Sequence, residues 1–195
     1  MKKILLISYN GVMTPPIGSY NGVMIPSMDN MDMYVSILNN NNINIYDINA
    51  MEKLKEIYDI YILYDPRYVN YDIRKFVIEI LKQRFPYVTV YIRDGQNFVS
   101  TEKGDYSVMT VQQFIYKHYD DVIDIIGCTD DDAILFDSII EIVSYCDIDK
   151  CSNYTLFCPQ DASPYCIDDA NRVLARDGGH GVIAEFEFLP CLSQH

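Results

Sequence analysis

No stretch of these 195 residues approaches the roughly 18 continuous apolar residues that a membrane span needs. A membrane role is therefore not expected. The opening Met1 to Ile7 run is too short for a secretory leader, because polar Ser8 and Asn10 follow at once. A cytoplasmic protein is expected. Positive charge is scarce: 15 Lys and Arg stand against 28 Asp and Glu, and the net charge of -13 opposes a phosphate backbone. Nucleic acid is not an expected partner. There is no P-loop, and no G-x-G-x-x-G follows the first strand, which argues against ATP and dinucleotides. Histidine is rare too. His118 lies on an expected helix and His180 in a glycine-rich joint, neither with a catalytic partner nearby in sequence. Six cysteines without a secretory signal point to free thiols or metal ligands rather than a disulfide frame. Cys146, Cys151, Cys158 and Cys166 fit no compact zinc spacing, so they read as separate thiols.

What is present is a core. Apolar residues make up 49% of the chain, and the stretch from Tyr58 to Gly95 organises them. Tyr58 to Tyr64 is an apolar run rich in β-branched and aromatic residues, which predicts a buried strand. Ile73, Phe76, Val77, Ile80 and Leu81 then form the stripe of a helix lying on a sheet, stopped by Pro86. Tyr87 to Ile92 predicts a second strand, ended by Arg93, Asp94 and Gly95. Strand, helix and strand of this length make a right-handed crossover.

Around this unit, Lys3 to Ile7 predicts a first strand, followed by a long loop from Tyr9 to Pro26. That loop repeats itself, Ser8 to Met13 recurring as Ser19 to Met24, and its Asn-Gly pairs and prolines are turn chemistry. A helix is expected from Ser27 to Leu38, a second strand over Ile43–Ile48 and a short helix from Ala50 to Ile57. After a polar loop from Gln96 to Tyr106, a helix over Val111–Tyr119, a fifth strand over Val122–Ile126 and a long helix follow. The alternation predicts an α/β fold with a doubly wound, five-stranded parallel sheet in the order 2-1-3-4-5. A boundary is expected near residue 150, and Val182–Leu189 alternates like a strand outside that sheet.

Ligands of such sheets sit beyond the carboxyl ends of the strands. The candidate rim is therefore Ser8, Tyr9, Asn10, Gly11, Pro16 and Gly18 after the first strand, Tyr64 and Asp65 after the third, Asp94 and Gly95 after the fourth, and Gly127, Cys128 and Thr129 after the fifth. Its glycines let backbone approach a bulky ligand. Asp130, Asp131 and Asp132 stand at a helix start, where carboxylates favour the dipole.

The order of these features resembles the cobalamin-binding-like domain that precedes the core of many radical SAM enzymes. The resemblance rests on Lys3 to Ser8 leading into Pro15, Pro16 and Gly18, on Ile43 to Asp47, on Leu81 to Pro86 with Val88 to Gly95, and on Asp121 to Gly127 followed by Thr129 to Leu135. It covers residues 1–150. Ala184 to Cys191 is similar to the first strand of the radical SAM barrel running into its first cluster cysteine. The resemblance implies a cobalamin or other small ligand on the rim, a radical SAM core as protein partner, and Cys191 as a metal ligand. It also implies a [4Fe-4S] cluster and S-adenosylmethionine if the chain continues beyond His195. Departures are plain: His195 stands where the cluster motif has its second cysteine, Gln96 replaces a glycine, Cys128 replaces an acidic residue, and no Asp-x-His-x-x-Gly follows the first strand. A second resemblance, to the catalytic domain of serine recombinases, rests on Asp59 to Arg67, Asp94-Gly95, Ser100-Thr101 and Ser8, and implies an inactive relative acting as an interaction or regulatory protein. A flavodoxin-like flavin binder is a third expectation.

Overall fold

The computed structural model describes residues 2–15, 43–66, 71–145 and 153–192. The central strand is β1 (Lys3–Ser8), and Ile4, Leu5, Leu6 and Ile7 are fully buried. A strand apolar on both faces has to be covered by helices on both sides, which fixes a layered α/β architecture. After β1 comes a tight turn over Tyr9–Met13. The chain then forms α1 (Ile45–Leu54), β2 (Asp59–Tyr64), α2 (Tyr71–Arg84), β3 (Thr89–Asp94), β4 (Asn97–Ser100) and β5 (Val108–Thr110). It continues through α3 (Val111–Lys117), β6 (Val122–Ile126), α4 (Asp130–Ser144), β7 (Tyr154–Cys158), α5 (Pro164–Asp169), β8 (Arg172–Val173) and α6 (Val182–Leu192).

All eight strands make one sheet in the order β5-β4-β3-β2-β1-β6-β7-β8. The expected α/β class and the largely parallel pairing are present; the expected strand number and order are not. β3, β2, β1, β6, β7 and β8 run parallel, and β4 and β5 add an antiparallel hairpin at one edge. The Tyr58 to Gly95 unit forms as its periodicity predicts, with Val77 and Leu81 at zero exposure on the inner face of α2.

Three expectations are corrected. Ile43–Ile48 is not a strand: the Asn44 side chain accepts from the backbone N–H groups of Tyr46 and Asp47 and starts α1 there. Apparent alternation in Ile-Asn-Ile-Tyr-Asp-Ile also places Asp47, Ala50, Met51 and Leu54 on one helical face, and a cap decided between the two periods. The loop after Gly95 contains the β4–β5 hairpin, turned by Gly95 at φ 57°. Val182–Leu189 is the body of α6, packed with α1, and Val182, Ile183 and Phe186 are buried at helical spacing. β7 and β8 extend the same sheet beyond residue 150. The expected helix over Ser27–Leu38 and the second copy of the repeat lie outside the described residues.

Where α5 packs on α4, the Asp169 carboxyl hydrogen-bonds that of Asp137, and this contact, with partial burial and the charges of Asp137 and Asp168, pushes Asp169 up to about 6. A carboxyl with its folded pKa raised above the unfolded value near 3.8 stabilises the fold below that lower value, and the contribution is lost as pH rises through about 6. Asp169→Asn is therefore expected to raise Tm at pH 7 to 8, with the gain fading toward pH 4. A gain that is independent of pH in a melting series would rule out the shared proton.

Candidate functional site

The carboxyl ends of β2, β1 and β6 lie side by side, and the residues there hold one another. The Ser8 hydroxyl, 7% exposed, donates to the carbonyl of Asn10 at 3.4 Å. The Asn10 amide donates to the carbonyl of Asp65 at 3.0 Å, tying the end of β1 to the end of β2. Tyr9 and Tyr64 meet edge to face at 5.5 Å beneath this link. Gly11 takes φ 85°, which only glycine adopts without strain, and the Thr14 hydroxyl sits against the turn.

This turn is roofed by the glycine segment before α6. Gly179 N–H donates to the carbonyl of Val12 at 2.9 Å, and Gly178 N–H donates to the Asp161 carboxylate at 2.9 Å. A Cβ on Gly178 would lie 1.6 Å from the carbonyl oxygen of Gly11, so the two backbones touch only because Gly178 lacks a side chain. Asp47 of α1, fully buried, accepts from Gly181 N–H at 3.2 Å and Ala184 N–H at 3.0 Å and so holds the start of α6. Burial pushes its carboxyl up, partly offset by these donors and by His180.

On the other flank, Thr129 caps α4 with Asp132 in a reciprocal box. Asp132 is 2% exposed and accepts from Cys128 N–H at 2.8 Å and Thr129 N–H at 3.0 Å. It is also paired with Arg93, which is itself 4% exposed and reaches from β3 to the Asp131 carbonyl as well. The three aspartates expected to cap α4 are thus unequal: Asp132 is the capping carboxylate, and Asp130 accepts from the Ser163 hydroxyl.

Next to the roofed turn lies an open cavity of about 560 Å³ bounded by Asn44, Tyr46, Arg176, His180, Ala184 and Phe188. It collects a guanidinium, an imidazole, an amide, a phenol and a ring. Glu185 at its margin is occupied by the backbone N–H groups of Ala175 and Arg176, both at 2.9 Å.

Of the rim residues expected from sequence, Ser8, Tyr9, Asn10, Gly11, Tyr64 and Asp65 are drawn together, and Gly127, Cys128 and Thr129 stand beside them. Asp94 and Gly95 are exposed in the hairpin turn, where the Gly95 carbonyl accepts from Arg93. Pro16 and Gly18 lie outside the described residues, and Cys191 falls within α6 with its side chain outside them too. Sequence reasoning missed Arg93, Asp47 and Arg176. An arginine at a strand's carboxyl end and a basic pair flanking Asp-Gly-Gly were the available signals.

Cys128, Cys158 and Cys166 are all buried, and burial pushes each thiol up, Cys158 to about 11. These are protonated core thiols, not nucleophiles. Cys146 and Cys151 lie outside the described residues. No described helix is long and apolar enough to cross a membrane.

No protein-family model matches the chain, and no curated protein does. Solved structures do match. The cobalt-bound deoxy-D-mannose-octulosonate 8-phosphate phosphatase of Haemophilus influenzae is 16% identical, with 99% of this chain and 89% of that one covered at a TM-score of 0.55. The 3-deoxy-D-manno-octulosonate 8-phosphate phosphatase of Moraxella catarrhalis, in complex with magnesium ion, phosphate ion and the sugar acid, is 11% identical over 96% and 84% of the two chains, at 0.55. A Legionella pneumophila structure assigned to the HAD superfamily of hydrolases, subfamily III A, is 13% identical over 99% and 84%, at 0.56.

These likenesses are to the fold of HAD-type phosphatases, and they overturn the radical SAM resemblance. The stretch taken for the start of that barrel is a helix, and the strand order departs from 2-1-3-4-5. Cobalamin, the [4Fe-4S] cluster and S-adenosylmethionine fall with it. The alternative of an inactive serine-recombinase relative finds no support either.

Because two of these phosphatases hold cobalt or magnesium, the strand ends here can be tested as a seat for a divalent ion. Such ions need several oxygen donors, one or two of them carboxylates. Ser8, Asn10, Cys128 and Thr129 are neutral, and Asp132 is already engaged by Arg93. Asn10 Oδ1 is buried without a partner, but among the described residues no three His, Cys, Asp or Glu side chains are placed to share a metal. The described residues do not fit the ion.

Proposed function

We propose that this chain is a hydrolase-fold protein that recognises a phosphate ester in the cavity between α1, the glycine segment and α6, without metal-assisted hydrolysis. The observation that carries the reading is the cavity itself. It is lined by the start of α1, the glycine segment and α6, and its volume falls within the usual range for small-molecule sites. Arg176 supplies positive charge in a chain of net charge -13, a guanidinium suits a phosphate by its fork of donors, and the His180 imidazole adds a ring nitrogen beside it. Asn44 and Tyr46 offer hydrogen bonds to hydroxyls, and Phe188 offers a flat apolar wall. The phosphatase-like fold supports a phosphate ester as the first ligand to try.

Turnover is a separate matter. A serine nucleophile needs an adjacent base, and the hydroxyl of Ser8 is directed at a backbone carbonyl.

The test is calorimetric titration with 3-deoxy-D-manno-octulosonate 8-phosphate and with inorganic phosphate, beside a phosphate-release assay in Mg2+ or Co2+. Binding is expected, about 10-fold weaker or more in Arg176→Met, the worth of one charge-assisted hydrogen bond. No sustained release is expected. Absence of binding by either probe sinks the reading, and steady metal-dependent release sinks the non-hydrolytic part of it.

A further inference from the structure

Two aromatic rings stand exposed on the walls of the cavity between α1 and α6. Tyr46, the second residue of α1, is 69% exposed, and Phe188 on α6 is 66% exposed. Single exposed apolar side chains are ordinary on a protein surface. Two rings from two helices, lining one cavity that also holds a guanidinium, are a different arrangement, since each gains by covering a flat face of a ligand. We infer that the cavity takes a phosphate monoester carrying a planar aromatic group, of the nucleoside monophosphate kind, an inference that rests on the phosphate-ester reading of the same site.

The lining is ordered along α6. Arg176 and His180 precede the helix, Ala184 lies in its first turn, and Phe188 follows Ala184 by one turn, about 6 Å along the axis. A methyl group is all that Ala184 places between the charged end and the ring, so that stretch of the cavity stays open. Asp47 holds the start of α1 to Gly181 and Ala184, which brings Tyr46 to the same space.

One cation sets the charge of the ligand. Glu185 also lines the cavity, but its carboxylate accepts from the N–H groups of Ala175 and Arg176 and so fixes the backbone that carries the guanidinium. A single guanidinium forks onto one phosphate. A triphosphate would meet no further Lys or Arg on this lining. A sugar acid phosphate would leave both rings in water and bring a second anionic group toward Glu185. A base joined to phosphate through a neutral sugar meets the rings and the arginine together.

Calorimetric titration of the purified chain with AMP, phenyl phosphate, 3-deoxy-D-manno-octulosonate 8-phosphate and inorganic phosphate tests this. AMP is expected to bind at least about 10-fold more tightly than the sugar acid phosphate, the worth of one stacked base. Phe188→Ala and Tyr46→Ala are each expected to weaken AMP by about 10-fold and to leave inorganic phosphate unchanged, whereas Arg176→Met weakens both. Both rings lie largely outside the core, so the truncated proteins are expected to melt with wild type. Loss at one ring alone supports the inference with that ring as the stacking face, and phenyl phosphate binding as tightly as AMP supports the same chemistry with an aryl ester as its source. Failure of all four probes to bind sinks the phosphate-ester reading and this inference together. AMP binding no tighter than the sugar acid phosphate or inorganic phosphate, or an AMP affinity that neither ring truncation changes, overturns this inference alone.

Discussion

Gly178→Ala is expected to cost about 3 kcal/mol or more, at the high end for a single substitution, because the added methyl has nowhere to go. Its carbon would stand 1.6 Å from the Gly11 carbonyl oxygen and 2.7 Å from the carbonyl carbon. Those are backbone atoms of a turn already held at φ 85°, so no side-chain rotation relieves the clash. Either the roof lifts, breaking the Gly179 to Val12 hydrogen bond, or the turn after β1 deforms. Chemical denaturation reads the result directly. A loss of less than about 1 kcal/mol, the typical cost of an arbitrary substitution, would mean that the roof is not seated on the turn as described.

The second large effect belongs to Asp47. Asp47→Ala strands the N–H groups of Gly181 and Ala184 in a buried place, and a cost of about 2 to 4 kcal/mol is expected from two such groups. Asp47→Asn keeps one accepting oxygen and is expected to lose roughly half as much. Hydrogen exchange locates the damage: amides at the start of α6 should lose protection well before those of β1. Equal loss everywhere would place the role of Asp47 in the core at large instead of at that helix start. Because burial raises the Asp47 carboxyl above its ordinary value, its charge is tolerated for the sake of two bonds, and stability from this group falls as pH climbs through the raised value.

The parts of the fold that could be read from sequence are those in which one period dominates. Lys3 to Ile7, Tyr58 to Tyr64 and Val122 to Ile126 are short apolar runs with polar ends, and each is a strand paired in parallel to a neighbour. The helix between Tyr71 and Arg84 carries an unmistakable stripe. Reading failed where local chemistry outweighed pattern. Asn44 made a helix of a six-residue alternation. Val182 to Leu189 alternates equally well, yet Gly181 and the distant Asp47 carboxylate start a helix there, a contact across 134 residues that no window reveals.

The candidate site shows the same division. The residues at the strand ends could be placed from strand boundaries alone, and six of them, Ser8, Tyr9, Asn10, Gly11, Tyr64 and Asp65, are drawn together. The cations could not, since Arg93 acts across the fold on a carboxylate 39 residues away, and Arg176 shares a cavity with Asn44 and Tyr46 at the start of α1. The family resemblance failed for a related reason. Its motifs were spaced along a chain whose strands were assigned in the wrong order, so collinearity carried no three-dimensional meaning.

The two margins of the sheet have a consequence for association between molecules. One ends in β5, a three-residue strand, and the other in β8, a two-residue strand. A foreign strand adding to either margin would find two or three residues to pair with, too few for a stable ladder when ordinary strands run to five or six. Templated growth of the sheet, whether into fibrils or by strand exchange, is thereby disfavoured at both described margins.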